Sequence, residues 1–187
     1  MKHIKLFESW LEYPEQDYSG EPNPYAHRPE LQLQTRLDEI LSEARPGQPA
    51  ILAIDTSSGI SFRQGLHAVN KVAMEMFTRR IEEIIVIGAS DDIDFVKVIT
   101  PGQKIGTSDF SSTGGNAGGF KFPFEYAEMK QIDPAIVVYI TDLAGDVPTA
   151  DQYGIAGYQD QVIWLALGGK AYNNPDFGAI IPYTPEY

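Results

Sequence analysis

The stretch Ala50-Ile-Leu-Ala-Ile-Asp-Thr-Ser-Ser-Gly59 runs five apolar residues into a carboxylate, three hydroxyl side chains and a glycine. A continuous apolar run of this length reads as a strand buried on both faces, the kind found in parallel sheets flanked by helices. A second run of the same design follows at Ala135-Ile-Val-Val-Tyr-Ile-Thr-Asp142, again ended by a carboxylate. Ligands of open α/β sheets sit in the crevice beyond the carboxyl ends of the strands. Asp55 and Asp142 are therefore the first candidates for a site.

The rest of the chain fills in around those two strands. Ile4, Phe7, Trp10 and Leu11 make one apolar stripe on a short helix over 4–11, which must dock on its own domain or on a partner. Residues 13–29 hold four prolines, one glycine and three tyrosines, and read as a connector without regular structure. A helix over 30–44 carries Leu33, Leu37, Ile40 and Leu41 on one face and stops at Arg45-Pro-Gly-Gln-Pro49. After Gly59 a helix over about 61–80 repeats Phe62, Leu66, Val69, Ala73, Met76 and Phe77 at helical spacing.

Ile84–Ala89 reads as a second buried strand, and Ile93–Ile99 as an edge strand joined to it by a turn too short for anything but antiparallel pairing. Residues 101–119 form a long Gly-, Ser- and Thr-rich loop, the kind of segment that is commonly functional. Helix is expected over about 121–131, a short helix capped by Thr149 through Gly154, a strand over Val162–Leu167 and a last short strand over 178–181. The alternation predicts an α/β fold: a doubly wound, mostly parallel sheet with one antiparallel edge strand and helices on both faces. The expected organisation is an N-terminal helical extension and Pro/Tyr-rich connector over 1–47, then the sheet domain over 48–187.

Composition narrows the function. A formal net charge of −12 argues against nucleic-acid binding, which needs excess Lys and Arg, and suits a protein that attracts cations or basic partners. With no Cys, disulfides and thiolate metal sites are excluded. No apolar run is long enough for a membrane helix and the N-terminus lacks a signal core, so the expectation is a cytoplasmic protein or a virion component assembled in the host cytoplasm. The glycines at 114–119 are followed by Phe120-Lys-Phe and not by the Lys-Ser/Thr of a phosphate loop. No His-Glu-x-x-His and no Gly-x-Ser-x-Gly occurs, and the histidines are His3, His27 and His67.

If the two acidic strand ends are neighbours, Asp55 and Asp142 share one crevice, where a pair of carboxylates repels unless a cation intervenes. Carboxylates, hydroxyls and water suit a hard cation such as Mg2+, which makes Asp55, Ser57, Ser58 and Asp142 a candidate magnesium-type site. The alternative is that both aspartates cap the turns that follow them.

Asp55-Thr-Ser-Ser-Gly59, followed by a helix, resembles the metal-ion-dependent adhesion site (MIDAS) of von Willebrand factor A (VWA) domains, which reads Asp-x-Ser-x-Ser, then a Thr in a later loop, then an Asp after the fourth strand. The chain is most similar to the bacterial VWA-like domain that often follows a metallopeptidase region. The residues carrying this are Gly114-Gly-Asn-Ala-Gly-Gly-Phe120, Thr141-Asp-Leu-Ala-Gly-Asp-Val-Pro148 and Phe177-Gly-Ala-Ile-Ile181, within a likeness over roughly 48–182. Carried across, Asp55, Ser57 and Asp142 match the motif. The second serine is replaced by Gly59, beside Ser58, and the threonine falls on Gly118, near Thr113. The resemblance thus implies a degenerate MIDAS with a weaker, more hydrated Mg2+ site.

It also implies a non-enzymatic protein-interaction domain whose partner meets the crevice rim, with Thr113, Asn116 and Gly118 as candidate partner-binding residues. Lys5-Leu-Phe-Glu-Ser-Trp-Leu11 resembles the openings of proteins of large tailed bacteriophages. This raises an alternative, a phage structural or assembly protein with a metal-free fold and a docking N-terminal helix. A third reading is a hydrolase using a metal-activated water between the carboxylates.

Overall fold

A computed structural model describes residues 28–57, 59–110, 119–168 and 173–184. The expected helix over 4–11 and most of the Pro/Tyr-rich connector lie outside these residues, as do Ser58, Thr113, Asn116 and Gly118.

The apolar runs form strands because a sheet sandwiched between helices buries both of their faces. β1 (Ala50–Asp55), β2 (Ile84–Ala89), β4 (Ile136–Thr141) and β5 (Val162–Leu167) are buried at every residue. β3 (Ile93–Ile99) and β6 (Ala179–Tyr183) are the half-buried edges. The order across the six-stranded sheet is β3-β2-β1-β4-β5-β6. All neighbours are parallel except β3, which runs antiparallel to β2. Pro182 sits within β6, an edge position where a missing N–H removes no ladder bond.

One face of the sheet carries α1 (Pro29–Ser42) and α2 (Phe62–Thr78). The other carries α3 (Phe122–Lys130) and the turns around Ile155 and Tyr158. Alternate residues of β1 serve the two cores: Leu52 and Ile54 go to the α1/α2 side, Ile51 and Ala53 to the α3 side. The second core is dominated by aromatics, with Tyr139 stacked on Trp164 at 5.4 Å between ring centroids.

Helix α1 belongs to this body. Leu33, Leu37, Ile40 and Leu41 are buried in the same core as β1 and β4. Along its side α1 runs beside α2, joined by the Lys71–Glu30 ion pair, a Gln34–Glu75 hydrogen bond of 3.2 Å and an Arg79–Asp38 ion pair of 2.6 Å. The segment expected to end an N-terminal extension therefore contributes a core helix.

Two local expectations are corrected. The apolar stripe of α2 is rotated: Gly65, Ala68, Val69, Val72, Ala73 and Met76 are the buried positions, and Phe62 is 39% exposed, its ring set edge-on to Phe110 at 4.8 Å. Residues 149–154 do not form a helix. Tyr153 and Gly154 both take left-handed backbone angles, and two short 3-10 turns, Ile155–Gly157 and Gln159–Gln161, follow. No helix among the described residues is long and apolar enough to cross a membrane.

Candidate functional site

The chain leaves β1 through α2 on one face to reach β2, and returns from β3 through α3 on the other face to reach β4. β1 and β4 are thus adjacent and parallel at the point where the winding reverses, with Ile54 level with Ile140. In open α/β sheets this switch point, beyond the carboxyl ends of the strands, is where ligands bind. Asp55 ends β1, and Asp142 is the first residue past β4.

Asp55 is 5% exposed and both of its carboxylate oxygens are engaged. Oδ1 accepts the Ser57 backbone N–H at 2.8 Å, and Oδ2 accepts the Thr141 hydroxyl at 3.1 Å. Burial holds this carboxyl above the ordinary aspartate range, against the pull of hydrogen bonds from Ser57; the negative charge of Asp142 pushes it further up, and the Thr141 hydroxyl opposes. Ser57 itself is buried at the bend.

Asp142 is half-buried, and its Oδ1 accepts the Ala144 N–H at 2.9 Å. The other oxygen, Oδ2, rests against Gly59: a Cβ added there would overlap it and lie 3.4 Å from Cγ. Gly59 therefore does more than remove a hydroxyl from the motif. Its missing side chain is the space that the Asp142 carboxylate occupies.

Sequence reasoning missed several residues that build the crevice. Thr141 donates to Asp55 and accepts the Leu143 N–H at 2.9 Å, so one hydroxyl links the ends of both strands. Its signal was a polar residue closing an otherwise apolar run. Thr56 bonds Asp94 of β3, whose carboxylate also takes the Ser90 hydroxyl at 3.0 Å. Gly119 passes directly over Ser90, where any Cβ would overlap the Ser90 carbonyl. The buried Tyr139 hydroxyl donates to the Gly119 carbonyl at 3.2 Å and so pins the end of the Gly-rich stretch to this lip. Burial, and next the charge of Asp55, raise the Tyr139 phenol well above its ordinary range, which keeps it a neutral donor.

The fold sets Asp55, Ser57 and Asp142 near one another at the adjacent ends of β1 and β4. Among the described residues no three His, Cys, Asp or Glu side chains converge as a metal cage. Two carboxylates and one hydroxyl fit a hard, largely hydrated cation such as Mg2+ and do not fit a zinc-type centre. A groove at the opposite end of the strands, lined by Asp38, Arg45, Arg79 and Arg80 among others, lies away from this chemistry, and two of its arginines are paired with Asp133 and Asp38.

Sheet order, antiparallel edge and acidic switch-point crevice define the class: a doubly wound α/β domain of VWA type. Residues 50–184 match the VWA-like domain family (DUF2201), and the chain belongs to it. No curated protein matches the sequence. Helix α1 precedes the matched residues and still fills part of the domain's core.

Proposed function

We propose that this chain is a non-enzymatic protein-interaction domain whose partner docks on the rim formed by Asp55, Ser57, Gly59 and Asp142. The observation that carries this reading is the adjacency of β1 and β4, which sets two acidic strand ends at one lip. The rim faces the partner with negative charge on a chain of net charge −12, which favours a basic partner surface. Gly119, held by Tyr139 at the same lip, adds to the proposed contact surface; the candidates Thr113, Asn116 and Gly118 precede it in sequence and lie outside the described residues.

A Mg2+-type ion is the proposed accessory. Asp55, Ser57 and Asp142 would hold it, with Ser58 beside them, and water would supply the ligands that the Gly59 and Gly118 positions lack. Bound there, it would neutralise the repulsion between the two carboxylates. Hydrogen bonds from Ser57 and Thr141 fix the Asp55 carboxylate in place, and the half-buried Asp142 is the more accessible acidic group of the rim.

Affinity capture from the native extract tests the docking site. Wild type and Arg80→Glu, whose exposed side chain lies at the far end of the sheet, should retain the same partner, and Asp142→Arg should lose it. Undiminished capture by Asp142→Arg overturns the reading. Isothermal titration with Mg2+ and Mn2+ tests the ion separately: heat and a raised melting temperature are expected, and neither effect would remove the metal while leaving the docking site.

A further inference from the structure

The turn after β4 carries strained backbone at the mouth of the crevice. Leu143 is fully buried yet takes φ +59°, a left-handed conformation that costs a side chain with a Cβ about 1–2 kcal/mol. Such a conformation persists when its surroundings over-determine it, and here they do. Within the turn, Thr141 Oγ1 accepts the Leu143 N–H at 2.9 Å and Asp142 Oδ1 accepts the Ala144 N–H at 2.9 Å. From outside the turn, the Asn173 side-chain nitrogen donates to the Leu143 carbonyl at 3.0 Å and to the Gly145 carbonyl at 2.7 Å. An amide nitrogen has two hydrogens, so Asn173 spends both on this one turn.

We propose that Asn173, on the connection between β5 and β6, is a positioning residue for Asp142. Its two N–H groups lock the left-handed Leu143 turn, and the turn in turn holds the Asp142 carboxylate against Gly59. Asp55 is held in addition by the Ser57 N–H, outside this turn, so a disturbance at Asn173 bears directly on Asp142 and reaches Asp55 only through Thr141. The β5–β6 connection thereby becomes part of the binding rim. That functional consequence rests on the crevice being the partner site; the positioning itself does not.

The experiment is backbone amide NMR with hydrogen exchange on the full chain, comparing wild type with Asn173→Ala, Asn173→Asp and Asp142→Ala. Asp at 173 keeps the shape and removes both donors. Both Asn173 variants should shift the Gly59 amide resonance in the direction that Asp142→Ala shifts it. Exchange at Ala144 should quicken about tenfold, the scale of one or two net hydrogen bonds lost. The Ser57 amide, bonded to Asp55, should stay in place.

Unchanged Gly59 and Ala144 signals in folded Asn173 variants overturn the proposal. So do changes that spread equally to Ser57, or loss of the fold in both Asn173 variants, since either makes Asn173 a general structural residue. None of these readouts needs a partner, so their failure leaves the docking reading intact. Shifted resonances with undiminished capture by the same variants would do the reverse, upholding the positioning and overturning the docking reading.

Discussion

Gly59 and Asp142 are in van der Waals contact across the crevice, and the contact exists because Gly59 has no side chain: a Cβ there would overlap the Asp142 carboxylate. The absence of a side chain at Gly59 and the placement of the Asp142 carboxylate are one steric arrangement.

That coupling is measurable. Gly59→Ala should force the Asp142 side chain out of its bond to Ala144 and destabilise the domain by about 1 kcal/mol, the scale of one net hydrogen bond. On an Asp142→Ala background the same substitution should cost almost nothing. A double-mutant cycle by urea denaturation reads the difference, and additive effects would show that the two residues do not interact.

Asp55 sets a pH dependence whose sign follows from its environment. Burial raises its folded pKa above the unfolded value of about 3.9. Between those two values the folded state holds a proton that the unfolded state has released, so stability falls as pH rises through this window. Below it the group is protonated in both states and the effect vanishes. Asn at 55 can still accept the Ser57 N–H and can donate to Thr141, so Asp55→Asn should be more stable than wild type at pH 7. The gap should close on acidification. Denaturation of both proteins from pH 3 to pH 8 checks this, and a gap that widens toward acid contradicts it.

Tyr139 anchors the Gly119 backbone from within the aromatic core. Tyr139→Phe keeps the ring stacking and strands a buried carbonyl, at a cost of about 1–2 kcal/mol. Hydrogen exchange should quicken locally at 119–121. A global rise in exchange without a local excess would mean that the hydroxyl does not tether this segment.

Helix α1 should behave as core although it precedes the family match. Leu37 is completely buried, and Leu37→Ala should destabilise the sheet domain by about 2–5 kcal/mol in one cooperative transition. Separate melting of α1, with the sheet unaffected, would make it an appendage.

Much of the architecture was legible because the four central strands are buried on both faces and so read as unbroken apolar runs. The edge strand β3 was recognisable from its short turn and poorer alternation. What the sequence did not display was neighbourhood. That β1 lies against β4 is a property of two crossovers, and the link from Asp55 to Asp142 passes through the hydroxyl of Thr141, which the sequence showed as the start of the Thr141–Pro148 segment and not as a site residue. Leu143 gave no sign of a left-handed turn, because leucine rarely adopts one and here borrows the geometry from Asn173, 30 residues on. The helix expected after Thr149 failed where Tyr153 and Gly154 turn left-handed, just ahead of the buried Ile155. Gly59 was readable as a departure from the motif, and its steric meaning emerged only with Asp142 in place.

The most direct test of the account is a hydrogen-exchange footprint of the domain in complex with its captured partner. Protection on binding should concentrate in peptides covering 55–62 and 141–147, the two acidic strand ends and the turns that hold them. Protection confined to the β3 edge or to the arginine-lined groove, with 55–62 and 141–147 exchanging as in the free protein, would contradict it.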